Sequence, residues 1–207
     1  VRRGFTLVEL LTALAIVALL AAVIFPVLAR ARASGYRAES TAHLRQVGAA
    51  IELYRSDHDG ELAFDHLDAF VDSGYLRTPR LLVSQTDAFP DGYGRTVSEC
   101  IDEPNPTALL TSYETSLVSR QFYDYVRSVD EAAAIVVDRT HGAVLEQADQ
   151  SCRWAQFFYS GTILRLYDDT HVKLAQFSFM PRNAPPDVAM HWSRLRLFTD
   201  VEPDSRP

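Results

Sequence analysis

The pattern of apolar and polar positions changes twice along the chain. From Leu10 to Leu28, nineteen consecutive residues carry no charge, and Thr12 alone among them has a polar side chain. That meets the length needed for a membrane-crossing helix, about 28 Å at about 1.5 Å per residue. Pro26 falls near the end of the run, where a proline inside a helix removes one backbone hydrogen bond and produces a kink. Beyond it the period stays helical but the character becomes amphipathic. Leu44, Val47, Ile51 and Tyr54 recur at steps of three and four, while Arg37, Glu39, Arg45, Glu52 and Arg55 lie elsewhere on the wheel. This half is expected to lie against a globular head. Asp57-His58-Asp59-Gly60 reads as its stop signal, with Gly60 suited to the left-handed position after the last turn. A helix from Phe5 to Ser56 would be about 78 Å long.

The remaining pattern is shorter in range. A helix from Asp65 to about Gly74 would bury Phe64, Leu67, Phe70, Val71 and Tyr75 and end before Pro79. Residues 84–107 are polar and carry Pro90, Gly92, Gly94, Pro104 and Pro106, a composition that predicts a surface loop. Four segments read as strands, Leu110–Thr115, Ala133–Asp138, Thr162–Tyr167 and Val172–Phe177. The last two predict a hairpin turning through Asp168-Asp169-Thr170-His171, with Leu164 and Leu166 inward against Val172 and Leu174. Five prolines in residues 181–207 predict a largely irregular tail with Trp192–Phe198 extended. The fold class is therefore α+β, a long N-terminal helix packed on a C-terminal antiparallel sheet.

Charge narrows the function. The net charge of -7 divides into +2 for residues 1–60, with seven Arg against five acids, and -9 for the rest. An acidic head argues against nucleic acid as a partner. Cys100 and Cys152 are too few for a four-cysteine metal site or a disulfide scaffold, but enough for one bridge. A head facing an oxidising compartment would form it; two unpaired thiols are the alternative.

Glu9 stands at the edge of the apolar segment, which begins on its other side at Phe5. A carboxylate there is costly if carried into the membrane, so it calls for a partner or a task. Two plainer readings of the N-terminus exist. One is a secretory signal peptide, with Arg2 and Arg3 as its basic start and Ala29-Arg30-Ala31 as the cleavage site, although its apolar core would exceed the usual length. The other is an ordinary membrane anchor whose edge glutamate is solvated.

The run Gly4-Phe5-Thr6-Leu7-Val8-Glu9-Leu10-Leu11 resembles the cleavage and methylation motif of type IV prepilins and type II secretion pseudopilins. The resemblance implies a pilin-like fold and a leader at residues 1–4, with Val1 written for a GTG start. It also implies a membrane and assembly helix at 5–28, an amphipathic half at 29–60, a head at 61–180 and a Pro-rich tail at 181–207. Prepilin peptidase would cut between Gly4 and Phe5 and N-methylate Phe5. Glycine suits the position because a backbone without a side chain can enter a crowded, extended active site. Glu9 and Pro26 would serve assembly. Implied partners are the peptidase, other pilin or pseudopilin subunits, the inner-membrane assembly platform and the cytoplasmic membrane, with the head extracytoplasmic and the subunit passing into a surface or periplasmic filament. The Tyr159-to-Val172 hairpin also resembles one branch of prepilin-like proteins, with Tyr159 where that branch has His and Thr170 where it has Gly.

Other chemistry is sparse. The six histidines, His43, His58, His66, His141, His171 and His191, show no recognised zinc or hydrolase spacing. Asp57 to Asp59 read as a solvated turn, and Asp168 with Asp169 supplies too few oxygens for calcium. No catalytic residues, metal or cofactor are expected, and the aromatics Phe157, Phe158 and Tyr159 read as core. A structural filament subunit, of a type IV pilus or a type II secretion pseudopilus, is thus the expected function. The alternative is a membrane-tethered or secreted extracytoplasmic ligand-binding protein.

Overall fold

A computed structural model describes residues 6–64, 67, 69–86, 111–146, 158–177 and 195–200, with the backbone alone at 143–146 and 158–160. The chain divides into two compact units, Val1–Ala38 and Glu39–Pro207. Helix α1, Leu7–Asp57, contributes to both.

In the first unit α1 is exposed from Thr6 to Tyr36 except at half-buried Ala21. Every large apolar side chain of the membrane-length segment faces outward, from Leu7 to Leu28. The segment is long and apolar enough to cross a membrane. The helix runs on through Pro26, so the proline removes one rung, the bond its nitrogen would have given the Ala22 carbonyl, without ending the helix.

In the second unit the same helix buries one stripe: Ser40, Leu44, Val47, Gly48, Ala50 and Ile51. Leu44, Val47 and Ile51 were legible from their spacing, and Tyr54 packs half-buried beside them. Gly48 owes its place to closeness. A side chain there would meet Leu166 Cδ1 at 3.1 Å and Thr170 Cβ at 3.4 Å. The expected stop holds: the Gly60 amide donates to the Arg55 carbonyl at 2.8 Å, and Asp59 and Gly60 both take positive φ, 53° and 86°.

Facing the stripe is a five-stranded antiparallel sheet: β1 Tyr113–Thr115, β2 Val136–Asp138, β3 Ala143–Glu146, β4 Phe158–Leu166 and β5 Val172–Phe177. β4 is its spine. One side pairs with β5; the other pairs with β2 near the end of β4 and with β3 near its start, and β1 pairs with β2. The expected hairpin register is found, Leu164 opposite Leu174 and Leu166 opposite Val172. Leu164 and Leu166 join the α1 stripe in the core, with Leu67, Phe70, Leu76, Leu82, Tyr113, Leu117, Ile135 and Val136. Val172 packs half-buried against the α1 cluster as expected, but Leu174 is 48% exposed rather than inward, because β5 is the outermost described strand on that side and the cluster reaches only its first residue. The hairpin turns with Thr170 at φ 65°, a left-handed conformation that disfavours a β-branched residue and suits glycine. A glycine, which the branch that this hairpin resembles carries at that place, would fit there.

The expected helix 65–74 is shorter, α2 at Ala69–Asp72, though Phe64, Leu67, Phe70, Val71 and Tyr75 all pack on the core as anticipated. Helix α3, Arg120–Val129, was not foreseen. Ser119 caps it by accepting from the Phe122 amide at 3.2 Å, and Phe122, Val126 and Val129 turn inward. They join a second cluster on the sheet face opposite α1, built from Ala133, Ala134, Val137, Ile163, Ala175, Phe177, Leu195, Leu197 and Phe198. Residues 163–166 of β4 are therefore buried on both faces.

That second face corrects the reading of the tail. Residues 195–198 form a helical turn, not the expected extended strand. Arg165, 1% exposed, crosses the layer and donates to three carbonyls: Leu197 through Nε at 2.7 Å, and Arg196 and Thr199 through Nη2 at 2.6 and 2.7 Å. Its Nη1 pairs with Asp200. Free carbonyls at the end of a helical turn need donors, and this one guanidinium supplies them.

A buried polar knot ties residues 84–86 to the β2–β3 turn. Asp138, fully buried, accepts through Oδ1 from the Thr140 amide at 2.9 Å and hydroxyl at 2.6 Å. Its Oδ2 lies 3.1 Å from His141 Nε2. The Thr140 hydroxyl also meets Ser84 at 2.8 Å and Thr86 at 2.6 Å, and Ser84 reaches Ser40 of α1 at 3.2 Å. Burial pushes the Asp138 carboxyl up, but the His141 contact and the Thr140 hydrogen bonds together hold it below the usual carboxylate range.

Candidate processing and assembly site

The first turn of α1 closes on itself. Thr6 precedes the helix and caps it: its hydroxyl oxygen accepts from the Glu9 amide at 3.2 Å, and its carbonyl from the Leu10 amide at 3.2 Å. In return Glu9 Oε2 accepts from the Thr6 amide at 2.9 Å and the Thr6 hydroxyl at 2.8 Å. This is a reciprocal capping box, in which two amides left over at the helix start find acceptors. The Glu9 carboxylate also lies at the positive end of the helix dipole. Thr12 completes the turn by donating its hydroxyl to the Glu9 carbonyl at 3.0 Å. Sequence reasoning singled out Glu9 and overlooked Thr6, although Thr-x-x-Glu before an apolar run is a legible signal.

Both Oε2 bonds come from Thr6, and Oε1 has no hydrogen-bond partner among the described residues. Glu9 is exposed, so one oxygen holds the helix start while the other remains open. Within Leu10 to Ala38 there is no acid at all. The site is thus a single negative charge at the head of a bare apolar helix.

The other sequence-predicted site residues are not gathered with it. Gly4 and Phe5, and Cys100 and Cys152, lie outside the described residues. Pro26 lies within α1, exposed. Asp57 accepts from the Tyr75 hydroxyl at 3.1 Å, and His58 stacks on Tyr54 at 3.9 Å, so both serve the closure of α1. Asp168 is committed to two guanidiniums, Arg55 at 3.3 Å and Arg127 at 2.9 Å. It joins α1, the β4–β5 turn and α3 as a structural tie. Among the described residues no three His, Cys, Asp or Glu side chains gather as a metal-binding group.

The family model described as the prokaryotic N-terminal methylation motif matches residues 1–25. Comparison with curated proteins and with solved structures gives no match. The matched motif supports a type IV prepilin-like protein, a substrate of prepilin peptidase. It points to a structural subunit rather than an enzyme. With the apolar first half of α1, it fits a protein anchored in the inner membrane.

Proposed function

We propose that this chain is a subunit of a type IV pilus or type II secretion pseudopilus. It is cut between Gly4 and Phe5, N-methylated at Phe5, and assembled through the exposed half of α1. The observation that carries the reading is the half-open Glu9 carboxylate, held at the helix start by Thr6 within the methylation motif. Between packed apolar helices an unpaired charge is expensive, and an opposite charge nearby is worth far more than in water. Cleavage frees a cationic amine at Phe5, and methylation keeps it cationic. A neighbouring subunit offset along the filament presents that amine to Oε1 and so fixes the register. Pro26 belongs to the same reading, as the place where the helix bends or partly unwinds on packing. So does a Cys100–Cys152 bridge in a head that faces an oxidising compartment.

Mass spectrometry of the N-terminal peptide is expected to find methylated Phe5; a chain starting at Arg32, as a signal peptidase would leave it, overturns the reading. Glu9→Val makes the segment more apolar, so the subunit is expected to enter the membrane and be cut normally. Its incorporation into sheared filaments is expected to disappear. Wild-type amounts in filaments would instead assign Glu9 to capping alone.

A further inference from the structure

The first unit has a second charged feature, opposite in sign to Glu9 and at the other end of the apolar segment. Arg30, Arg32 and Arg37 are the only charges from Leu10 to Ala38, twenty-nine residues without an acid. The -9 of residues 61–207 shows that this is not the chain's general composition. From the first helical residue to Leu28 the helix rises about 33 Å, slightly more than a hydrocarbon core of about 30 Å. Arg30 and Arg32 follow about 3 and 6 Å further on. They fall within the headgroup layer, roughly 5 to 7 Å deep on each side.

Helical side chains lean toward the N-terminus, here back toward the apolar segment. Arg37 displays that lean, its Nε donating to the Ala33 carbonyl at 3.3 Å. Arg30 and Arg32 lie about 160° apart on the wheel, so these two charges form a collar rather than a stripe. Tyr36, 37% exposed, adds the kind of amphipathic ring found at membrane interfaces.

We infer that this collar binds anionic phospholipid headgroups, of the phosphatidylglycerol type, in the leaflet on the C-terminal side of the apolar segment. The inference rests on the membrane reading above. Guanidinium and phosphate match in charge and in fork geometry, and basic residues beside a membrane segment attract anionic lipid. The collar thus opposes withdrawal of the stored subunit from the bilayer, so extraction into a filament must exchange these lipid contacts for others.

The test reconstitutes the full chain in phosphatidylcholine vesicles containing spin-labelled phosphatidylglycerol or spin-labelled phosphatidylcholine, and measures the fraction of each lipid immobilised at the protein. Arg2 and Arg3 are retained throughout, so their effect cancels in the comparison. The intact chain is expected to prefer the anionic lipid by about five-fold or more, less so as salt is raised. The double variant Arg30→Gln, Arg32→Gln is expected to lose most of that preference, and the corresponding Lys variant to retain part of it. An equal preference in the Gln variant, or none in the intact chain, overturns the inference. Loss of filament incorporation in a variant whose lipid preference is unchanged also overturns it, in favour of acidic neighbouring subunits as the collar's partner. Alkaline carbonate extraction reports on insertion separately. A chain that washes out overturns the membrane reading itself, and the inference with it.

Discussion

The two halves of α1 carry similar apolar side chains and meet opposite fates. Leu14 and Ile16 are 58% and 60% exposed, whereas Leu44 and Ile51 are 0% and 1% exposed. The helix does not distinguish them; their surroundings do. The second half has a sheet of its own chain to lie on and completes its burial during folding. Among the described residues the first half is exposed on every side except at Ala21, and so much bare apolar surface on one helix calls for lipid or for other subunits. One element thus serves stability at one end and association at the other. Polar groups divide the same way: Arg165 spends its guanidinium on three carbonyls and Asp200 within the head, while Glu9 is hydrogen-bonded at only one oxygen among the described residues.

The largest effect that could break this comparison is an aspartate placed in each half. In a chain lacking residues 1–28, Ile51→Asp buries an unpaired charge and is expected to cost more than about 4 kcal/mol, enough to unfold the head. Ile16→Asp in the full chain is expected to leave head melting unchanged and to impair membrane insertion. Equal melting of Ile51→Asp and its parent, followed by circular dichroism, would show that the second half does not rest on the head.

A smaller effect is expected on the far face of the sheet. Arg165→Ala removes the donor for three carbonyls and leaves Asp200 with Lys173 alone among the described residues, for a loss of about 3 kcal/mol in urea unfolding. An unchanged midpoint would mean that the turn at 195–198 holds without it.

The smallest concerns acid. Because the folded protein lowers the Asp138 pKa, its charged form contributes stability above the ordinary carboxylate value. That contribution is lost as pH falls through the lower folded value. Asp138→Asn is expected to cost roughly 1 to 2 kcal/mol at neutral pH and to flatten the stability profile below about pH 4. Parallel profiles for variant and parent would remove Asp138 from the acid response.

How legible each part was follows from the range of the interaction behind it. Leu44, Val47 and Ile51 declared the buried stripe by spacing, and Gly60 declared the helix end, since both depend on neighbours within a few turns. The β4–β5 register came from alternation and a four-residue turn. Arg165 was not singled out: alternation on β4 puts it on the face opposite Leu164 and Leu166, where a charged residue gives no local sign of burial. Nothing local announced that 195–200 return to cover it. Helix α3 did have a local signal in Ser119 followed by Phe122, Val126 and Val129, and that signal was missed. Thr6 also had a local signal, a hydroxyl three residues before Glu9 at the start of an apolar run, and it too went unread.

By itself, the sequence determined the elements whose causes lie close along the chain: the apolar segment with its motif, the amphipathic stripe, and the hairpin. Only the tertiary structure decided that residues 163–166 of β4 are buried on both faces, that Gly48 lets α1 approach the hairpin, and that Asp138 can stay charged in the interior. Each of these depends on what a distant segment brings within hydrogen-bond or van der Waals range, and neither periodicity nor propensity carries that information.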